Sequence, residues 1–230
     1  MYEIKGVFVA VFLLLCGLPN SFFEQGEQLF QAKEYAQAAV CFEKHLAAHP
    51  QHESSLEYLG DIAAHLKQWT KAQSYYATLQ RLHPKEANYH YKYGAAVAMQ
   101  AKKSNVLKAY TLLDKIEKAL LTATQLSATH IDSRWALVHF YLEIPALVGG
   151  SESKAQQYAS QLLAISPVDG HLARGAIAVY FKRYPEAEKH LLKAHSIGNS
   201  PTTFQKLNAL YTQHWKQPEK AKALQQKFQK

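Results

Sequence analysis

Cysteine is nearly absent from this chain: two residues, Cys16 and Cys41, in 230. If the first 20 residues are removed, only Cys41 is left, and no intramolecular disulfide can form. The fold then rests on packing alone, which about 210 residues of stacked helix can supply. Glycine (10) and proline (8) are also few. Catalytic signatures are missing: there is no G-x-S-x-G and no S-x-x-K with its companion motifs. Gly149-Gly150-Ser151 lacks the remaining glycine and the Lys-Ser/Thr of a phosphate loop, and reads as a turn with Ser151 as helix N-cap. No apolar run reaches the roughly 20 residues of a membrane span. The one uncharged run, Gly6 to Leu18 with Lys5 before it, has the length of a signal-peptide core. Residues 1–20 are therefore read as an export signal or an N-terminal anchor, with lipidation at Cys16 as a further route. The corresponding location is outside the cytoplasm, exported or envelope-associated.

What remains is apolar enough, at 48% hydrophobic, to exclude disorder. Alanine, leucine, lysine and glutamine are plentiful and all favour helix. The decisive signal is periodic. Gly26, Gly60 and Gly94 stand 34 residues apart, as do Ala38 and Ala72, and Pro50 and Pro84. Later units repeat the order with altered spacing: Trp135, Val138 and Leu142 precede Ala155, Leu162 and Pro167, and Gly175 precedes Ala187. Four residues beyond the regular spacing fall near Pro145 to Gly150. Apolar residues recur every three or four positions from Val106 to Ala123, which predicts one continuous helix from Asn105 to about Leu126, its far end projecting past the array.

This order resembles the tetratricopeptide repeat (TPR), a helix–turn–helix unit. The resemblance implies an all-α, right-handed superhelical solenoid of about six helix pairs over residues 21–230, with irregular third and fourth units, one elongated helix B and C-terminal capping helices. Gly26, Gly60, Gly94 and Gly175 would sit where helix A crosses helix B. Ala38, Ala72, Ala155 and Ala187 are the small partners, and Pro50, Pro84 and Pro167 end the B helices. A narrower stretch, Thr129-His130-x-Asp132-x-x-Trp135 through Gly149-Gly150-Ser151 to Pro167-x-x-Gly170, is similar to a group of exported bacterial TPR proteins of unestablished activity.

The resemblance implies a binding protein, not an enzyme, needing no cofactor or metal. Its groove would hold a peptide or partner protein, with Glu27, Tyr58, Asp61, His65, Tyr91, Lys92, Glu143 and Tyr180 facing inward. His45 and His49 have no glutamate between them of the zinc-protease kind, and are read as one packed histidine and one near the helix C-terminus, where the dipole favours it. From Lys182 to Lys230 there are 10 basic and 3 acidic residues, against 16 and 15 in the rest. Lys206, Lys216, Lys220, Lys222 and Lys227 are thus a candidate basic patch for an acidic partner or an anionic membrane. That patch would serve a membrane-tethered structural subunit, the alternative to a soluble adaptor. Nucleic acid is not an expected partner of an exported chain.

Overall fold

Stacked antiparallel helices make up the structure, a computed structural model that describes residues 21–228. The readings for residues 1–20 lie outside this range. In order the helices are α1 (Phe22–Gln31), α2 (Tyr35–Ala48), α3 (Glu53–His65), α4 (Trp69–Leu82), α5 (Ala87–Lys102), α6 (Val106–Tyr110), α7 (Leu113–Leu126), α8 (Ile131–Glu143), α9 (Glu152–Ile165), α10 (Pro167–Tyr180), α11 (Tyr184–Gly198), α12 (Pro201–Ala209) and α13 (Pro218–Phe228). A 3-10 turn, Ala146–Val148, precedes α9, and a π-helical turn, Leu210–His214, extends α12. The A/B pairs are α1/α2, α3/α4, α5/α7, α8/α9, α10/α11 and α12/α13. Among the described residues there is no strand.

Side chains start the A helices. Ser21, His52, His130, Ser151, Ser166 and Ser200 each accept a hydrogen bond from a backbone N–H three residues on; of these, only Ser151 opens a B helix. Ser166 does double duty: it closes α9 and caps α10, so a single residue joins units four and five. Pro167 fills the first position of α10, where its missing N–H costs nothing.

The A-to-B turns of units one, two, five and six follow one design. Lys33, Lys67, Lys182 and Lys216 all have left-handed backbones, with φ of 62, 57, 58 and 55°. The next amide closes back onto the helix: Gln68 N–H to Ala63 O at 2.7 Å, and Arg183 N–H to Ala178 O at 2.8 Å. This is a helix-ending motif that usually takes glycine. Lysine there is strained, so Lys67→Gly should raise stability by about 0.5–1 kcal/mol. A thermal melt checks this; an unchanged or lower midpoint would contradict it.

Packing follows the glycine register. A Cβ on Gly26, Gly60 or Gly175 would run into Phe42, Tyr76 or Leu191, each sixteen positions on. Gly94 meets Leu120 instead, twenty-six positions on, at the looser distance of 3.1 Å. The ten extra residues are α6 and its flanks. The segment from Asn105 to Leu126 is helical but not one helix, contrary to the expected continuous rod. The chain turns at Thr111–Leu112, where the Thr111 hydroxyl donates to Lys108 O at 2.8 Å. The fragments divide the work. Leu112, Ile116, Leu120 and Ala123 are buried with α5 and α8, so α7 lies within the array and does not project. The three–four spacing runs through the break, which is why periodicity alone missed it.

Candidate partner-binding groove

The A helices α1, α3, α5, α8 and α10 carry the expected groove residues, in separate clusters. The first joins α1, α3 and α5. Tyr58 donates to Glu27 at 3.1 Å, and Lys92 bridges Asp61 at 2.8 Å and Glu57 at 2.7 Å. Tyr76 also donates to Asp61, at 2.6 Å. Burial, and then these carboxylates, push the Tyr58 and Tyr76 hydroxyls well above the usual phenol range. Both therefore stay protonated donors. Glu27, Ser54, Glu57, Tyr58 and Asp61 line a depression of 310 Å³. Glu57 was missed from sequence, although it stands 34 residues from both Phe23 and Tyr91.

Tyr91 and Glu143 belong to a second, mainly apolar cavity of 520 Å³ between α5 and α8. Ala95, Ala98 and Met99 form one wall; Phe140, Ile144 and Pro145 form another; Ala109 and Tyr110 of α6 reach in from the inserted segment. At its edge Lys102 pairs with Glu143 at 2.6 Å. A third cavity, of 540 Å³, lies between α8, α10 and α12, lined by Trp135, His139, Leu172, Lys206 and His214 among others. There the Trp135 indole donates to Asp169 at 2.8 Å. His139 borders both cavities and stacks on Trp135. It occupies the register position that other units give to glycine, so it reads from sequence as a repeat position and not as a groove residue.

Two groove expectations fall elsewhere. His65 stacks flat on Tyr35, ring centres 4.6 Å apart, in the first A-to-B joint. Tyr180 is exposed at the end of α10 against Phe181. Nor do the five lysines make one patch. Lys206 lines the third cavity, Lys216 is a turn residue, and Lys220 pairs with Glu188 at 2.6 Å beneath the Trp215 ring. Lys222 and Lys227 are exposed on α13. The rings of His45, His49 and His52 lie close together, with His52 acting as a cap. Among the described residues no such group is placed to hold a metal ion.

Histidines couple this packing to pH. Burial comes first among the causes that lower the pKa of His45, His130, His139, His171 and His190. The His171 and His190 Nδ1 atoms lie 3.2 Å apart, a contact that needs one of them unprotonated. In the unfolded chain these rings take protons near pH 6.5. Below that pH the unfolded state binds more protons than the folded one, so stability falls as pH falls. Melts from pH 7.5 down to about 5 should show a steady decline. His190→Gln should flatten the slope, and a pH-independent midpoint would contradict the assignment.

No family model matches the chain, and no curated protein matches it. Solved structures do. TTC0263, a TPR protein from Thermus thermophilus, superposes with a TM-score of 0.67 at 18% identity, covering 83% of this chain and 97% of its own. PilW, described as a type IV pilus biogenesis factor, gives 0.64 at 15% identity, covering 90% of each chain. YrrB, a TPR protein described as having an unusual peptide-binding site, gives 0.54 at 15%, covering 82% of this chain and 89% of its own.

Proposed function

We propose that this chain, whose fold is that of tetratricopeptide-repeat proteins, is a non-catalytic scaffold or adaptor that holds a peptide or partner-protein segment in its concave groove. The observation that carries the reading is the 520 Å³ apolar cavity on that face. Its size and lining suit a bulky apolar side chain, and the polar groups at its edges suit the orientation of a peptide. Both irregular units contribute to it. The ten residues inserted in unit three bring in Ala109 and Tyr110, and the longer turn of unit four brings in Ile144 and Pro145. Neither insertion is required for stacking, since the regular units pack without one.

An exported, envelope location completes the reading and rests on the Gly6–Leu18 run. Mass spectrometry of the purified chain would test it, by identifying the mature N-terminus. The alternative, a tethered subunit working through its basic C-terminal end, has weaker support, because the lysines are dispersed and Lys220 is already paired.

The groove is tested with a photo-crosslinking residue placed at Met99 in the full chain. It should capture a partner in cells of the source, and Ala98→Phe, which fills the cavity, should abolish capture without changing the helical melt. Capture that survives the filled cavity would place the partner elsewhere.

A further inference from the structure

The A-to-B connections lie at one edge of the stack, because every A helix runs the same way. That edge has a composition of its own. The connection in unit two exposes Leu66 and Lys67. In unit three it exposes Lys103, Val106, Leu107 and Lys108, with Val106 and Leu107 at 64% and 80% of full exposure. In unit four it exposes Leu147 completely, at 100%, on the 3-10 turn. Lys67, Lys103 and Lys108 converge on one depression with Gln68, Thr70 and Ser104. Further along, Tyr180, Phe181 and Lys182 repeat the pairing of apolar and cationic residues.

We propose that this edge, centred on α6 and the 3-10 turn, docks on an anionic lipid bilayer. Leucine and valine tips stand apart at successive connections, at Leu66, at Val106–Leu107 and at Leu147, with lysine beside the first two. A protein partner would instead be met by a contiguous apolar patch with a charged rim. Isolated apolar tips suit the headgroup boundary, where each is buried by lipid separately. Lysine lays its stem along apolar surroundings and keeps its ammonium in the headgroup layer. Among the described residues, three lysines of this depression have no acidic partner and attract anionic headgroups, while the fourth that lines it, Lys71, is neutralised by Glu43 at 2.9 Å. The inward face of α6 lines the groove while its outward face meets the bilayer, so the two surfaces are separate. The inference therefore does not depend on the groove holding a peptide.

Hydrogen exchange of the full chain, with anionic phosphatidylglycerol vesicles and with neutral phosphatidylcholine vesicles, tests the proposal segment by segment. Segment resolution separates this edge from any insertion by the apolar N-terminal run. Residues 103–110 and 146–149 should gain protection with anionic vesicles only, and lose it near 1 M salt, where screening acts within about 3 Å. Changing Lys67, Lys103 and Lys108 to Gln should cut the vesicle-dependent protection, about fivefold in apparent affinity per lysine. Leu107→Ser with Leu147→Ser should weaken docking while leaving the melt unchanged. Equal protection by both vesicle types, or none at these segments, overturns the proposal. So does protection by soluble polyglutamate but not by vesicles, which would assign the edge to an acidic protein.

Discussion

Replacing Gly170 with alanine is expected to cost about 3 kcal/mol or more. A Cβ at Gly170 collides with the Leu163 backbone, its Cα and N, on the preceding helix. Backbone cannot rotate aside as a side chain can. The only relief is to separate α9 from α10, and the one-residue joint at Ser166 prevents that. Helix propensity alone would favour alanine by about 1 kcal/mol, so the sign of the result separates the two effects. For a chain of this size, a loss of about 3 kcal/mol lowers the melting midpoint by roughly 6–12 °C. Gly94→Ala is the control. Its neighbours are the ends of Leu120 and the Ala119 methyl at 3.1–3.2 Å, which yield by a few tenths of an ångström, so its midpoint should hardly move. Gly60→Leu should also be severe, because the Tyr76 ring it would strike is buried and tied to Asp61. Equal melts for Gly170→Ala and Gly94→Ala would refute the close approach of α9 and α10.

Arg134→Ala is expected to be the next most damaging, at about 2–4 kcal/mol. The side chain is only 6% exposed. Its guanidinium donates to Ser127 O at 3.2 Å, His130 O at 2.9 Å and Gln161 Oε1 at 3.1 Å. Those acceptors are the end of α7, the cap of α8 and the middle of α9, so one planar fork ties three segments where units three and four meet. Burial lowers its pKa, yet arginine titrates so far above neutrality that the charge persists. Truncation leaves two part-buried carbonyls without this donor and opens a cavity. Arg134→Met restores the volume but not the donors, and should recover about half of the loss. Urea denaturation of the three proteins checks the order wild type, Met, Ala. A methionine variant as stable as wild type would mean that the stem matters and the hydrogen bonds do not.

The regular repeats were legible because their spacing has a steric cause. Glycine opposite a ring or a leucine sixteen positions on leaves its mark at Gly26, Gly60 and Gly175 with no other information needed. The helix pairs, the turn at Gly149–Gly150 and the cap at Ser151 follow the sequence reading. Unit three did not, since Val106, Ala109, Tyr110 and Leu113 keep a helical rhythm across a real break. The three–four rhythm records which residues are apolar, not whether the chain between them stays straight. Groove residues were legible only where the register was intact: Glu27, Tyr58, Asp61 and Lys92 do come together. His65 and Tyr180 lie apart from that cluster because they sit at helix ends, where the inward face gives way to the turn. The narrower motif also finds a physical reading: His130 caps α8, and Trp135 ties that helix to Asp169 beside the Ser166 joint.

That joint has a mechanical consequence. Most neighbouring helices in the stack are separated by several residues of slack, so a pull along the array can be taken up by small rotations at those places. Between α9 and α10 there is one residue and a Gly170 face pressed on Leu163, and a Trp135–Asp169 strut ties α8 to α10. Units four and five should therefore respond to load as a single rigid block. Elastic yielding would fall on the inserted connection of unit three, which borders the apolar cavity. Tension on the chain would then change the width of that cavity before it changed anything else.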